Sequence, residues 1–119
     1  MQTPRAIACT IYPDVQVLDV TGPLQVFASA NVELQRQGRP AGYSLHLLAD
    51  AVGPVACSAG FSLLAEAARE DEDPARFDTV LVPGGWGAEA QLRNAPLLAW
   101  LQRAEPRVRR LGSVCSGAL

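Results

Sequence analysis

Apolar residues in this chain gather into short runs separated by turn-forming residues. The run Ala6–Tyr12 is continuous and is stopped by Pro13, the pattern of a strand buried on both faces. Tyr43–Ala49 reads as a second strand, with His46 in its middle. Phe77–Val82 reads as a third, ending at Pro83-Gly84-Gly85, and Val108–Val114 as a fourth, running straight into Cys115. Between the first two strands, Leu24, Phe27, Ala28, Asn31 and Leu34 recur at helical spacing. Thr21-Gly22-Pro23 reads as that helix's start, with Thr21 or Gly22 as cap and Pro23 in the first turn, so Pro13–Val20 is a loop. Gly38 and Pro40 close the helix. Val55–Cys57 and Phe61–Ala65 predict a hairpin around Ser58-Ala59-Gly60. Gly87–Leu92 and Pro96–Ala104 predict two further helical pieces, and the acidic run Glu70–Asp73 a solvated loop punctuated by Pro74.

Short apolar strands alternating with helices predict an α/β fold, with a mainly parallel sheet covered on both faces. Ligand sites in such sheets form outside the carboxyl ends of the strands. The Asp19 segment, Pro83-Gly84-Gly85 and Cys115 all follow predicted strands, so the topology should bring them to one edge. The 119 residues make at most one domain, and 49% hydrophobic content supports a packed core. Ten basic against 12 acidic residues leave no basic stripe for nucleic acid. The first residues are too briefly apolar for a signal peptide or membrane span, which makes the cytoplasm the default location. Cys9, Cys57 and Cys115 are too few and too widely spaced for a disulfide framework or, with His46 the only histidine, for a metal site.

Cys115 carries the strongest chemical signal. A strand leads into it, with Ser113 two residues before and Gly117 two after. That is the cysteine form of a nucleophile elbow, in which small neighbours let a cramped strand-to-helix turn pass. A thiolate at a helix start is favoured by the positive end of the helix dipole. Cys9 and Cys57 read as small buried hydrophobes. Asp19, in the apolar setting Val17-Leu18-Asp19-Val20, is either a loop-tying or capping acid or a carboxyl held near the thiol. In the second role a nearby thiolate and partial burial would keep it protonated and able to donate. Gly84-Gly85 is either a plain turn or bare backbone whose N–H groups face a ligand oxyanion together with the amide of Ser116. Ser116, directly after the cysteine, is either a turn hydroxyl or a ligand contact. His46 reads as structural, Trp86 as a residue at the pocket mouth and Trp100 as core.

Three stretches together resemble the ThiJ/PfpI superfamily, of the class I glutamine amidotransferase-like fold. They are Tyr12-Pro13-Asp14-Val15-Gln16-Val17-Leu18-Asp19-Val20-Thr21-Gly22-Pro23-Leu24, Leu81-Val82-Pro83-Gly84-Gly85 and Ser113-Val114-Cys115-Ser116-Gly117-Ala118. The Leu-Asp-Val-Thr-Gly-Pro run points to one branch, that of isocyanide (isonitrile) hydratases and the N-terminal domains of AraC-type transcriptional regulators. The resemblance implies a flavodoxin-like three-layer sandwich, with residues 1–119 forming only its N-terminal portion and ending just after the elbow. It implies Cys115 as nucleophile, Asp19 as its acid partner, and Gly84, Gly85, Ser116 and Thr21 as ligand contacts, with no cofactor and no metal. The hydratases commonly carry threonine after the cysteine, where this chain has Ser116. The stretches Gly22–Asn31 and Gly53–Leu63 resemble the regulators. The function so implied is small-molecule sensing in an AraC-family regulator, with an isonitrile hydratase-like enzyme as the alternative. A homodimer is the expected assembly. DNA contact would fall to a helix-turn-helix domain outside these residues.

Overall fold

The computed structural model describes residues 3–118. Its main sheet has five strands: β1 (Arg5–Thr10), β2 (Tyr43–Ala49), β5 (Ala67–Ala68), β6 (Thr79–Val82) and β7 (Arg110–Ser113). They lie in the order β5-β2-β1-β6-β7, and every neighbouring pair is parallel. A separate antiparallel hairpin joins β3 (Gly53–Ala56) to β4 (Ser62–Ala65), turning at Gly60 with φ 96°. Helices α1 (Val17–Arg36), α2 (Ala88–Gln91) and α3 (Ala95–Ala104), with 3-10 turns at Arg69–Asp71, Pro74–Arg76 and Cys115–Ala118, complete the elements. This is the flavodoxin-like α/β sandwich expected from the alternation of strands and helices.

The pleat of the central strands divides the core in two. Cys9, Leu47, Ala49 and Leu81 face one side, where they meet Val17, Val20 and Leu24 of α1 and Val55, Leu63 and Ala65 of the hairpin. Ala6, Ala8, Leu48 and Val80 face the other, against Phe77 and the Trp100, Leu101 and Ala104 stripe of α3. Trp100 is fully buried, and its ring N–H donates to the Glu72 carbonyl at 2.9 Å, which leaves no polar atom of the indole unpaired.

The connection from β1 runs to β2 and on to β5 on one side, and the chain then crosses over to β6 and β7 on the other. The carboxyl ends of β1 and β6 therefore flank the point where the winding reverses, the place where open α/β sheets form ligand sites.

Three local expectations need correction. Helix α1 starts at Val17, four residues before the expected Thr21, and Pro23 lies inside it. Proline in a helix interior costs about 3 kcal/mol. Burying a valine contributes about 1.5–3 kcal/mol, and both Val17 and Val20 pack into the core cluster only if the helix begins early. At the far end the helix closes as expected. Gly38 takes φ 75°, and the N–H groups of Gly38 and Arg39 donate to the carbonyls of Gln35 and Leu34. The two-residue β5 was unmarked, because Ala67-Ala68 carries no strand pattern of its own and pairs only with Leu48 and Ala49. Cys115–Ala118, the last described residues, form a 3-10 turn where the first residues of an α-helix were expected.

Candidate functional site

The segment after β1 turns at Pro13-Asp14, with Asp14 at φ 64° and Val15 N–H on Tyr12 O at 3.1 Å, and is stitched on both sides. Asp14 N–H donates to Ala56 O at 2.8 Å and Ser58 N–H to Val15 O at 3.1 Å, tying it to the hairpin. On its other side Gln16 N–H donates to Gly84 O at 2.9 Å. Val15 is fully buried between them. This clamp fixes where α1 begins and puts Asp19 in its first turn, where an acid suits the positive end of the helix. The Asp19 carboxylate then reaches across to the loop after β6, and its Oδ2 accepts the Gly84 N–H at 3.1 Å.

That loop has to be bare. A Cβ on Gly84 would stand 2.6 Å from both the N and the Oγ of Ser116 and 3.1 Å from Asp19 Oδ2. The same spot is thus bounded by the carboxylate and by the residue following the cysteine, which brings Asp19 and the elbow together. Gly85, at φ 144°, donates its N–H to Ser116 Oγ at 3.1 Å. Both glycine amides are therefore held by side chains, one by Asp19 and one by Ser116.

The elbow itself is delivered by β7. Val114 N–H donates to Val82 O at 3.0 Å, the last rung between β6 and the rising chain. Cys115 follows at φ 55°, a left-handed conformation that costs a non-glycine residue roughly 1–2 kcal/mol. The turn closes with Gly117 N–H on Val114 O at 3.0 Å, and any side chain at Gly117 would run into the Val82 carbonyl. Glycine at position 117 is thus a steric requirement of this turn.

Of the three cysteines, Cys115 alone is exposed. Burial, and then the Asp19 charge, push the Cys9 thiol up to about 12, so it stays protonated and inert. Cys57 is buried and donates its Sγ–H to Phe61 O at 3.0 Å.

Tyr12 belongs to this arrangement although the residue pattern gave no reason to single it out. Its hydroxyl donates to the Pro83 carbonyl at 2.7 Å, inside the protein. Burial first, then the charges of Asp19, Cys9 and Cys115, push the phenol up to about 12, so it remains a donor at all ordinary pH. The available signal was a polar-tipped aromatic closing an otherwise apolar buried run.

Other candidates lie apart. Thr21 is exposed and returns its hydroxyl to Val17 O at 3.0 Å along α1, away from the glycine loop. His46 pairs with Ser44 Oγ at 2.9 Å and packs edge-on against Phe77, and burial, then Arg76, lower its basicity. Trp86 is 84% exposed, and Trp100 is core. Among the described residues, no group of three or more His, Cys, Asp or Glu gathers that could hold a metal ion. No helix among them is long and apolar enough to cross a membrane.

An exposed thiol on a strained turn, a carboxylate and a hydroxyl each bonded to a neighbouring backbone amide, at the switch point of a parallel sheet, can bind or attack a small electrophile. Comparison with known proteins identifies relatives of the chain and of its fold. The chain is 31% identical over 113 residues to an isonitrile hydratase of Pseudomonas putida, a match covering 95% of this chain and 44% of that protein. It is 30% identical over 115 residues to a Streptomyces lividans protein described as "Uncharacterized protein in cpoL 5'region", covering 97% of this chain and 76% of that one. A ThiJ/PfpI family protein from Pseudomonas syringae superposes with a TM-score of 0.81 at 26% identity, over 98% of this chain and 44% of its own. A two-domain protein with DJ-1/ThiJ/PfpI-like and ferritin-like domains from Anabaena variabilis superposes with a TM-score of 0.78 at 20% identity, over 95% and 30%. This chain thus spans under half the length of the hydratase and of the P. syringae protein. The model of the DJ-1/PfpI family matches residues 5–119, and this chain belongs to that family.

Proposed function

We propose that these residues form a small-molecule-sensing domain centred on Cys115, of the kind that serves AraC-family transcriptional regulators. One observation carries the reading. The glycine amides beside the elbow, which an enzyme would aim at a developing oxyanion, are engaged by Asp19 and Ser116. A site with an exposed thiol and its nearest donors already paired favours holding a ligand over turning one over. The ligand that fits is a small polar or amine-related molecule seated over Cys115, and binding of DNA would belong to a separate domain.

A second reading, isonitrile hydratase-like catalysis, is favoured by the 31% identity to the P. putida enzyme. In that reading the Cys115 thiolate adds to the isonitrile carbon and Asp19 delivers a proton to the same carbon, giving a thioimidate. Water then adds to the C=N bond, the C–S bond breaks, the proton set free returns to the Asp19 carboxylate, and the N-substituted formamide leaves the regenerated Cys115 thiolate.

One pair of assays separates the two readings. The protein is incubated with an N-alkyl isonitrile and formamide is measured, and in parallel a panel of small amines and amides is tested for protection of Cys115 from alkylation. Protection without formamide is the expected result. Formamide that disappears in Cys115→Ala would overturn the sensor reading in favour of the enzyme.

A further inference from the structure

We infer that Tyr12 is a positioning residue that holds the Pro83–Gly85 loop in register with the Cys115 elbow. Four hydrogen bonds from other segments of the chain converge on that loop. Tyr12 holds the Pro83 carbonyl from the end of β1, Gln16 N–H holds the Gly84 carbonyl, Asp19 takes the Gly84 N–H, and Ser116 takes the Gly85 N–H. Only the Tyr12 bond is made by a fully enclosed side chain, and it is the shortest of the four at 2.7 Å. Pro83 is itself buried, so its carbonyl has no recourse to bulk water once the phenol is gone. The loop's other side-chain partners belong to other elements: Asp19 is on α1, and Ser116 on the turn after β7. Tyr12 is the loop's partner nearest in the chain to β1, the central strand between β2 and β6. A shift of Pro83 would carry with it the two amides that anchor Asp19 and Ser116, and so change the setting of the thiol without any contact between Tyr12 and a ligand.

The inference rests on Cys115 as the reactive centre, and two readouts keep the claims apart. Amide hydrogen exchange at Gly84 and Gly85 follows the loop, whatever Cys115 does. The pH profile of Cys115 alkylation by iodoacetamide follows the thiol's setting, whether or not the protein turns anything over. Tyr12→Phe keeps the ring and removes only the donor. It is expected to speed exchange at Gly84 and Gly85 at least tenfold and to change the alkylation rate at least threefold. Replacing Tyr12 by 3-fluorotyrosine, which keeps the hydroxyl, should restore both. Phe77→Leu, which thins the core on the other face of the sheet, controls for stability alone and should move neither. Unchanged exchange or an unchanged alkylation profile in Tyr12→Phe overturns the inference, as does an equal change in Phe77→Leu.

Discussion

Gly84→Ala tests the site's construction with a single methyl group. Gly84 is not at positive φ, so alanine meets no backbone penalty there. Its whole effect is contact. The new Cβ would stand 2.6 Å from Ser116 N and Oγ and 3.1 Å from Asp19 Oδ2. Real Cβ atoms do not approach that closely, so something must move. The Ser116 amide cannot retreat freely, because it sits in the turn closed by Gly117 N–H on Val114 O. Forcing an extra methyl into such a packed place costs about 1–3 kcal/mol. For a chain of this length that is a fall in Tm of roughly 4–12 °C, at about 4 °C per kcal/mol. Because the elbow and Asp19 are what the methyl pushes apart, the alkylation rate of Cys115 should shift by several-fold as well. Cys9 and Cys57 are buried and do not confuse the reading. Differential scanning calorimetry and timed iodoacetamide labelling read the two effects. A Gly84→Ala protein that melts with the parent and alkylates at the parental rate would refute the claim that Asp19, Gly84 and Ser116 share one crowded site.

Three further outcomes follow from single residues. Ser116→Ala removes the acceptor of the Gly85 N–H; a loss of about 1–3 kcal/mol is expected, whereas Ser116→Thr should stay near the parent, as chemical denaturation will show. Pro23→Ala restores the N–H that the Asp19 carbonyl lacks within α1, and should raise stability by up to about 3 kcal/mol; no gain in thermal unfolding would mean the helix is already adapted to the proline. Asp50 is held below its ordinary range because hydrogen bonds from Asn94 and Arg69, and the Arg69 charge, outweigh the burial that would raise it. A lowered carboxyl contributes stability that is fully present above the ordinary value near 4 and is lost as pH falls through the lowered one. Asp50→Asn should therefore cost on the order of 1 kcal/mol at pH 7, since Asp50 is largely exposed while its partner Arg69 is buried. That difference should vanish at pH 2, as urea titrations at the two pH values will measure.

The strands and their order of appearance were legible because buried parallel strands are short apolar runs, and Tyr43–Ala49 matches β2 to the residue. The hairpin was legible for a related reason, since Gly60 marks a turn that needs positive φ. What escaped depended on contacts between distant segments. The start of α1 is set by the clamp of Val15 and Gln16 between the hairpin and the glycine loop, which no local signal records, and Pro23 pointed to the wrong residue. At the site, Cys115, Asp19, Gly84, Gly85 and Ser116 could be proposed from residue type and motif, and the fold brings all five to one edge of the sheet. Their pairing could not be proposed, because which amide meets which side chain is a matter of ångströms between α1, the β6 loop and the elbow. Tyr12 was hidden by its own sequence setting, where an aromatic at the end of a buried strand looks like core and nothing marks its hydroxyl's partner 71 residues away.

The central claim is that Asp19, through the glycine loop it holds, shares one site with the Cys115 elbow and bears on the thiol's reactivity. The most direct test is the rate of Cys115 alkylation as a function of pH in the parent and in Asp19→Ala, which removes the acceptor of the Gly84 N–H. Without that acceptor the loop that Ser116 ties to the elbow is less firmly held, so the variant's alkylation rate should differ from the parent's at least threefold. Superimposable curves across the whole range would contradict the account.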